Sequence, residues 1–124
     1  MSQIIVVDDD CQLRATLART LEDAGHQVLG AADGKAGLAL CREHQPDLVI
    51  ADILMPDKDG IETIMELRRD LPGVKIIAIS GGGFAGPESY LELARHLGAR
   101  RVFAKPVSST DLLSAVRELL ADGT

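Results

Sequence analysis

The chain has 124 residues, 46% hydrophobic, 26% charged and 2% aromatic, enough for a single domain with a core built mainly of aliphatic side chains. Nineteen acids against 13 Lys and Arg give a formal net charge of -6, with the cations scattered rather than striped, which speaks against an electrostatic grip on nucleic acid or an anionic membrane. Cys11 and Cys41 show no metal or redox spacing, and neither a leader pattern nor an 18-residue apolar run occurs, so a soluble chain of the reducing cytoplasm is expected.

Taken in order, the apolar run Ile4 to Val7 predicts a strand that ends on three acids, Asp8, Asp9 and Asp10. Asp10 is placed to cap the helix that carries Leu13, Leu17 and Leu21 at helical spacing. After Gly25 comes a second strand, Gln27 to Gly30, and Gly34 and Pro46 bound the next amphipathic segment. Leu48 to Ala51 predicts a third strand, closed by Asp52 and followed by "ILMPDKDG". Ile64, Leu67 and Leu71 mark the third helix, and Pro72-Gly73 ends it. Val74 to Ile79 predicts a fourth strand, which opens at Ser80 into the glycine-rich "SGGGFAGP". Beyond Gly98, Arg101 to Ala104 is the fifth strand, ended by Lys105, and Leu112, Val116 and Leu119 or Leu120 mark the last helix. Five short apolar runs alternating with five amphipathic segments form the βαβ rhythm. Right-handed crossovers make such strands parallel, so the expected fold is α/β, a doubly wound sheet with helices on both faces.

In such sheets ligands bind beyond the carboxyl ends of the strands. Asp8 and Asp9, Asp52, Ser80 and Lys105 follow four of those ends, so three acids, a hydroxyl and an amine gather at one edge. Each has an ordinary structural explanation alone: a cap, a turn residue, a solvated charge. Their joint placement asks for more. Three neighbouring carboxylates need a cation or a raised pKa, and oxygen ligands with room for water and phosphate suit Mg²⁺ better than zinc. His26, His44 and His96 show no metal-ligand spacing. An aspartate can attack phosphorus to give an acyl phosphate, given positive charge and hydrogen-bond donors around the phosphoryl oxygens. Asp52 is then the nucleophile, with Asp9 and its metal, Lys105 and Ser80 around it.

These residues resemble the receiver domains of two-component response regulators over essentially the whole chain. The carrying stretches are "IIVVDDD" followed by Arg14, "PDLVIADILMPDKDG", "KIIAIS" and "GARRVFAKP". The resemblance implies a five-stranded flavodoxin-like sheet of order 2-1-3-4-5 and a phosphoacceptor at Asp52. It implies Mg²⁺ held by Asp9, Asp52 and the backbone carbonyl of Leu54, with Asp8 acting through water. Lys105 would pair with the phosphoryl group, Ser80 would be the switch hydroxyl, and the peptide before Pro106 would be cis. The phosphoryl donor would be a phosphohistidine on a sensor kinase or a phosphotransfer protein. The output surface, also the candidate dimerisation surface, would span roughly residues 88–121. With only "ADGT" after Leu120, a single receiver domain over 1–124 with no output domain is expected.

Two positions depart from that pattern. Val102 stands where the family often carries a Tyr or Phe that moves with the switch hydroxyl, and Phe103 faces the other side of its strand. The loop 80–87 is unusually rich in glycine, so we expect ordering of residues 81–86 on phosphorylation. Leu54 and Gly82 would flank water's route to the phosphoryl group, and a polar residue at 54 should change the acyl-phosphate lifetime. Gly81, Gly83 and Gly86 spell G-x-G-x-x-G, but outside the first βα unit and without an acid ending the next strand. The Lys of a phosphate-binding loop is also missing, which disfavours an NTPase. An aspartyl-phosphate phosphohydrolase needs a general acid two residues after its nucleophile, where this chain has Leu54. A receiver-like module that ignores phosphate is the remaining alternative, and the joint presence of Asp9, Asp52, Ser80 and Lys105 argues against it.

Overall fold

A computed structural model describes residues 2–53, 60–80, 92 and 94–121. Its strands are β1 (Gln3–Val7), β2 (Gln27–Ala31), β3 (Leu48–Asp52), β4 (Lys75–Ser80) and β5 (Arg101–Ala104). Four helices intervene or follow: α1 (Cys11–Asp23), α2 (Gly34–His44), α3 (Gly60–Asp70) and α4 (Ser109–Ala121). Residues 92 and 94–96 are also helical, in the place of the remaining expected helix. All the strands pair in parallel in the order β2-β1-β3-β4-β5.

Period-two alternation along each strand divides the core into two layers. Ile5, Val7, Val49, Ala51, Ile76 and Ala78 face α2 and α3, where Leu38, Cys41, Ile64 and Leu67 meet them. Ile4, Val6, Leu48, Ile50, Ile77 and Ile79 face α1 and α4, against Leu17, Leu21, Leu112, Val116 and Leu119. A sheet covered on both faces reads as continuous apolar runs, which is why β1 and β3 are legible without polar alternation. On α2 the close approach is made by Gly37: a Cβ there would lie 2.6 Å from a Val7 methyl carbon.

The helix ends show why the chain breaks where it does. Asp10 Oδ1 accepts from the backbone N–H groups of Gln12 and Leu13 at 3.0 and 3.2 Å, so it is the N-cap of α1, as expected. Asp33 does the same for α2 through Ala36. Gly25 and Gly98 sit at φ +98° and +120°, where a side chain would be strained.

Candidate functional site

β1 and β3 are adjacent at the centre of the sheet; a buried acid, Asp8, directly follows β1, and another, Asp52, ends β3. Asp8 is fully buried and Asp52 is 3% exposed, whereas Asp9 is exposed. One carboxylate oxygen from each of Asp8, Asp9 and Asp52 can be chosen so that all lie within 4.8 Å of one another. The segment after β1 is fixed from several sides. The Asp8 N–H donates to the Ala31 carbonyl at 3.0 Å, the Asp10 N–H donates to Asp8 Oδ1 at 2.9 Å, and Arg14 Nη1 donates to the Asp8 carbonyl at 2.7 Å.

The cation comes from the end of β5. The backbone N–H of Lys105 donates to the Ser80 carbonyl at 2.9 Å, which continues the β4–β5 ladder by one bond. From there Lys105 Nζ reaches Asp52 Oδ2 at 2.9 Å and Asp8 Oδ2 at 3.3 Å. Ser80, the last residue of β4, is fully buried. The Lys105–Pro106 peptide is cis, as the resemblance implies.

Among the described residues one ammonium thus meets two buried carboxylates, with a third carboxylate at the surface beside them. Burial pushes the Asp8 pKa up, the Asp10 N–H pulls it down, the Asp52 charge adds to the rise, and Lys105 opposes it; the balance is a raised value. For Lys105 partial burial disfavours the ammonium, but the Asp52 hydrogen bond and the two carboxylate charges outweigh it and hold the pKa above its usual value. Asp8 Oδ2 accepts no hydrogen bond of good geometry, its neighbour being the Lys105 ion pair. A buried, under-satisfied oxygen beside two more carboxylates, with excess negative charge, fits a small divalent cation. Converging charge marks this place; clefts of about 400 and 440 Å³ lie elsewhere, bordered by His26, Leu113 and Arg117 and by Glu62, Met65 and Arg69.

The structure therefore brings together Asp8, Asp9, Asp52 and Lys105, with Ser80 ending the strand next to Asp52. Leu54 and the stretch 81–86 lie outside the described residues. Val102 is half-buried and packs into the α2–α3 layer, whereas Phe103 packs into the α1–α4 layer, so the two face opposite ways as strand geometry requires. Two residues were not legible as parts of the site. Arg14 entered only as the residue following "IIVVDDD" in the family resemblance, with no role assigned, yet it holds the Asp8 carbonyl; Gly30 read as the end of a strand, yet the Arg14 side chain lies against it. The available signal was a glycine inside a strand, which often marks close approach by another group.

The family model described as "Response regulator receiver domain" matches residues 4–117. Protein PilH of Pseudomonas aeruginosa is 33% identical over 123 residues, covering 98% of this chain and 99% of PilH. The transcriptional regulatory protein PdtaR of Mycobacterium tuberculosis is 34% identical over 117 residues, 92% of this chain, and the chain spans about half (54%) of PdtaR's length. Among solved structures, a CheY-like receiver domain from Methanospirillum hungatei superposes with a TM-score of 0.90 at 31% identity, covering 98% of this chain and 95% of the other. Chemotaxis protein CheY4 of Vibrio cholerae gives 0.85 at 28% identity, with 96% and 98% covered. Fold order, the acids and lysine at the strand ends, and a family match over nearly the whole chain agree: the protein belongs to the response regulator receiver domains of two-component signal transduction.

Proposed function

We propose that this receiver takes a phosphoryl group from a phosphohistidine donor onto Asp52 in a Mg²⁺-dependent reaction, and that the modification alters a protein-interaction surface. The observation that carries the reading is the Asp52 carboxylate, 2.9 Å from Lys105 Nζ and within 4.8 Å of carboxylate oxygens of Asp8 and Asp9. A carboxylate oxygen of Asp52 attacks phosphorus, the P–N bond to the donor imidazole breaks, and the imidazole leaves with its electron pair and takes up a proton. Asp9, Asp52 and the backbone carbonyl of Leu54 would hold Mg²⁺ directly and Asp8 would hold it through water, and the bound ion would offset charge on the phosphoryl oxygens. Lys105 leaves its ion pair with Asp52 to meet that charge from another side, and the Ser80 hydroxyl donates to a phosphoryl oxygen. The chain is a signalling domain that takes part in its own phosphorylation and dephosphorylation, not a conventional turnover enzyme.

A sensor histidine kinase or a histidine phosphotransfer protein is the donor this chemistry calls for, and the downstream partner is a protein that reads residues 88–121. Among the described residues no helix is long and apolar enough to cross a membrane, which is compatible with the cytoplasmic site we assign. Intact-mass analysis after incubation with Mg²⁺ and acetyl phosphate tests the reading. One added phosphoryl group is expected, absent from Asp52→Asn and from a chelated sample. No adduct with either acetyl phosphate or a phosphohistidine donor would leave a phosphate-independent interaction module.

A further inference from the structure

We infer that Arg14 and Gly30 together form a clamp that sets the Mg²⁺ affinity of the acid cluster, an inference that rests on the metal assignment above. Arg14 lies on α1, one turn past the Asp10 cap, and its half-buried side chain turns back to donate from Nη1 to the Asp8 carbonyl at 2.7 Å. That carbonyl belongs to the peptide joining Asp8 to Asp9, so the bond fixes the plane from which the Asp9 side chain departs. The same residue, Asp8, is tied through its N–H to Ala31 and through Oδ1 to the Asp10 N–H. With all three held, the acids are placed before a cation arrives, and their ordering is not charged against its binding.

Gly30 makes the path available. It pairs with Val6 on the edge strand β2 and shares the α1-facing side with Val28. A Cβ built on Gly30 would lie 3.0 Å from Arg14 Cδ, 3.2 Å from Cγ and 3.4 Å from Nε. Glycine weakens a strand relative to a β-branched residue, so its presence here is explained by the guanidinium stem that occupies the space. Arg14 is a positioning residue: it acts on the ligands through the backbone.

Charge and positioning predict opposite signs, which makes the inference testable. If Arg14 mattered only as a cation near three acids, its removal would relieve repulsion of Mg²⁺ and tighten binding. As a clamp, its removal loosens binding. Isothermal titration of MgCl₂ into the full chain, wild type beside Arg14→Ala and Gly30→Val, reads the sign directly. Gly30→Val keeps the arginine and suits a strand, so it reports displacement of the stem without loss of charge.

We expect both variants to bind Mg²⁺ about tenfold more weakly. In the acetyl phosphate reaction their half-saturating Mg²⁺ should rise by the same factor, while the rate at saturating Mg²⁺ stays near wild type. Affinity unchanged or tighter in both variants, with the wild type binding normally, overturns the clamp and leaves the metal assignment standing. A wild type that takes up no Mg²⁺ overturns both.

Discussion

At the scale of single residues the site is a charge imbalance held in place by sequence-local bonds. Asp8 is buried and its pKa is raised, although the Asp10 N–H and the Lys105 ammonium, which is shared with Asp52, both favour its charge. A carboxyl whose folded pKa lies above its unfolded value disfavours the fold while ionised, and that cost disappears as pH falls from the folded value toward the unfolded one. Metal-free Asp8→Asn should therefore be more stable than wild type at neutral pH by about 1 kcal/mol, or about 4 °C in Tm for a domain of this size. The Asn carbonyl oxygen can still accept from the Asp10 N–H, so the local turn is kept. Thermal melts in chelator between pH 7 and pH 4 should show the advantage shrinking as the pH drops; a Tm below wild type at pH 7 would mean that the Lys105 pairing outweighs burial. Asp8, Asp52, Ser80 and Lys105 were legible because each is the first polar residue after an apolar run, and parallel topology sends those ends to one edge. The work of Arg14 was not, because its acceptor is a main-chain oxygen that no side-chain pattern encodes.

Elements were read well where burial is continuous and less well where it hides polar atoms. The expected strands agree with β1 to β5 within one residue at each end, and β5 coincides with its expected bounds. α2 is the weaker case: its buried face is Gly34, Gly37, Leu38 and Cys41, so small residues carry much of the contact and the apolar period is faint. Lys75 was not legible at all. It opens β4 at 6% exposure, and its ammonium donates to the Leu119 carbonyl of α4. The last carbonyls of a helix have no partner within it, and a cation there also suits the helix dipole. The lysine thus satisfies the C-terminal turn of α4 from the sheet beneath it, a role opposite to the solvated surface charge that lysine usually implies. Lys75→Met keeps the length of the stem and removes the donor, and should cost about 1–3 kcal/mol. Urea denaturation measures the loss, and amide exchange should show faster opening at 117–121 than in β1. Equal stability with unchanged exchange there would mean that water replaces the ammonium fully.

For the whole molecule, strand order decides which residues can cooperate. Alternation and crossover handedness establish a parallel sheet, but they do not say on which edge each new strand is added; the order 2-1-3-4-5 entered through the family resemblance, and the observed pairing agrees. That order puts β1 and β3 side by side in the middle, buried on both faces, so Asp8 and Asp52 lie at the ends of strands that have no exposed residue. A cation held there binds the folded chain and has no equivalent site once β1 and β3 separate. Mg²⁺ should then stabilise the domain as a unit, by about 2.7 kcal/mol at a hundred times its dissociation constant, equivalent to a rise of about 10 °C in Tm. The rise should grow with the logarithm of Mg²⁺ concentration, reverse on chelation, and fall to a small fraction in Asp52→Asn, which loses a charged ligand while keeping the carbonyl oxygen. If Asp52→Asn and wild type gain equally from Mg²⁺, the ion is acting on surface acids and the central pair is not its site. If the gain is confined to wild type, two of the strands that build the core are also the ones that hold the ion, and folding and metal binding are linked through one pair of neighbours.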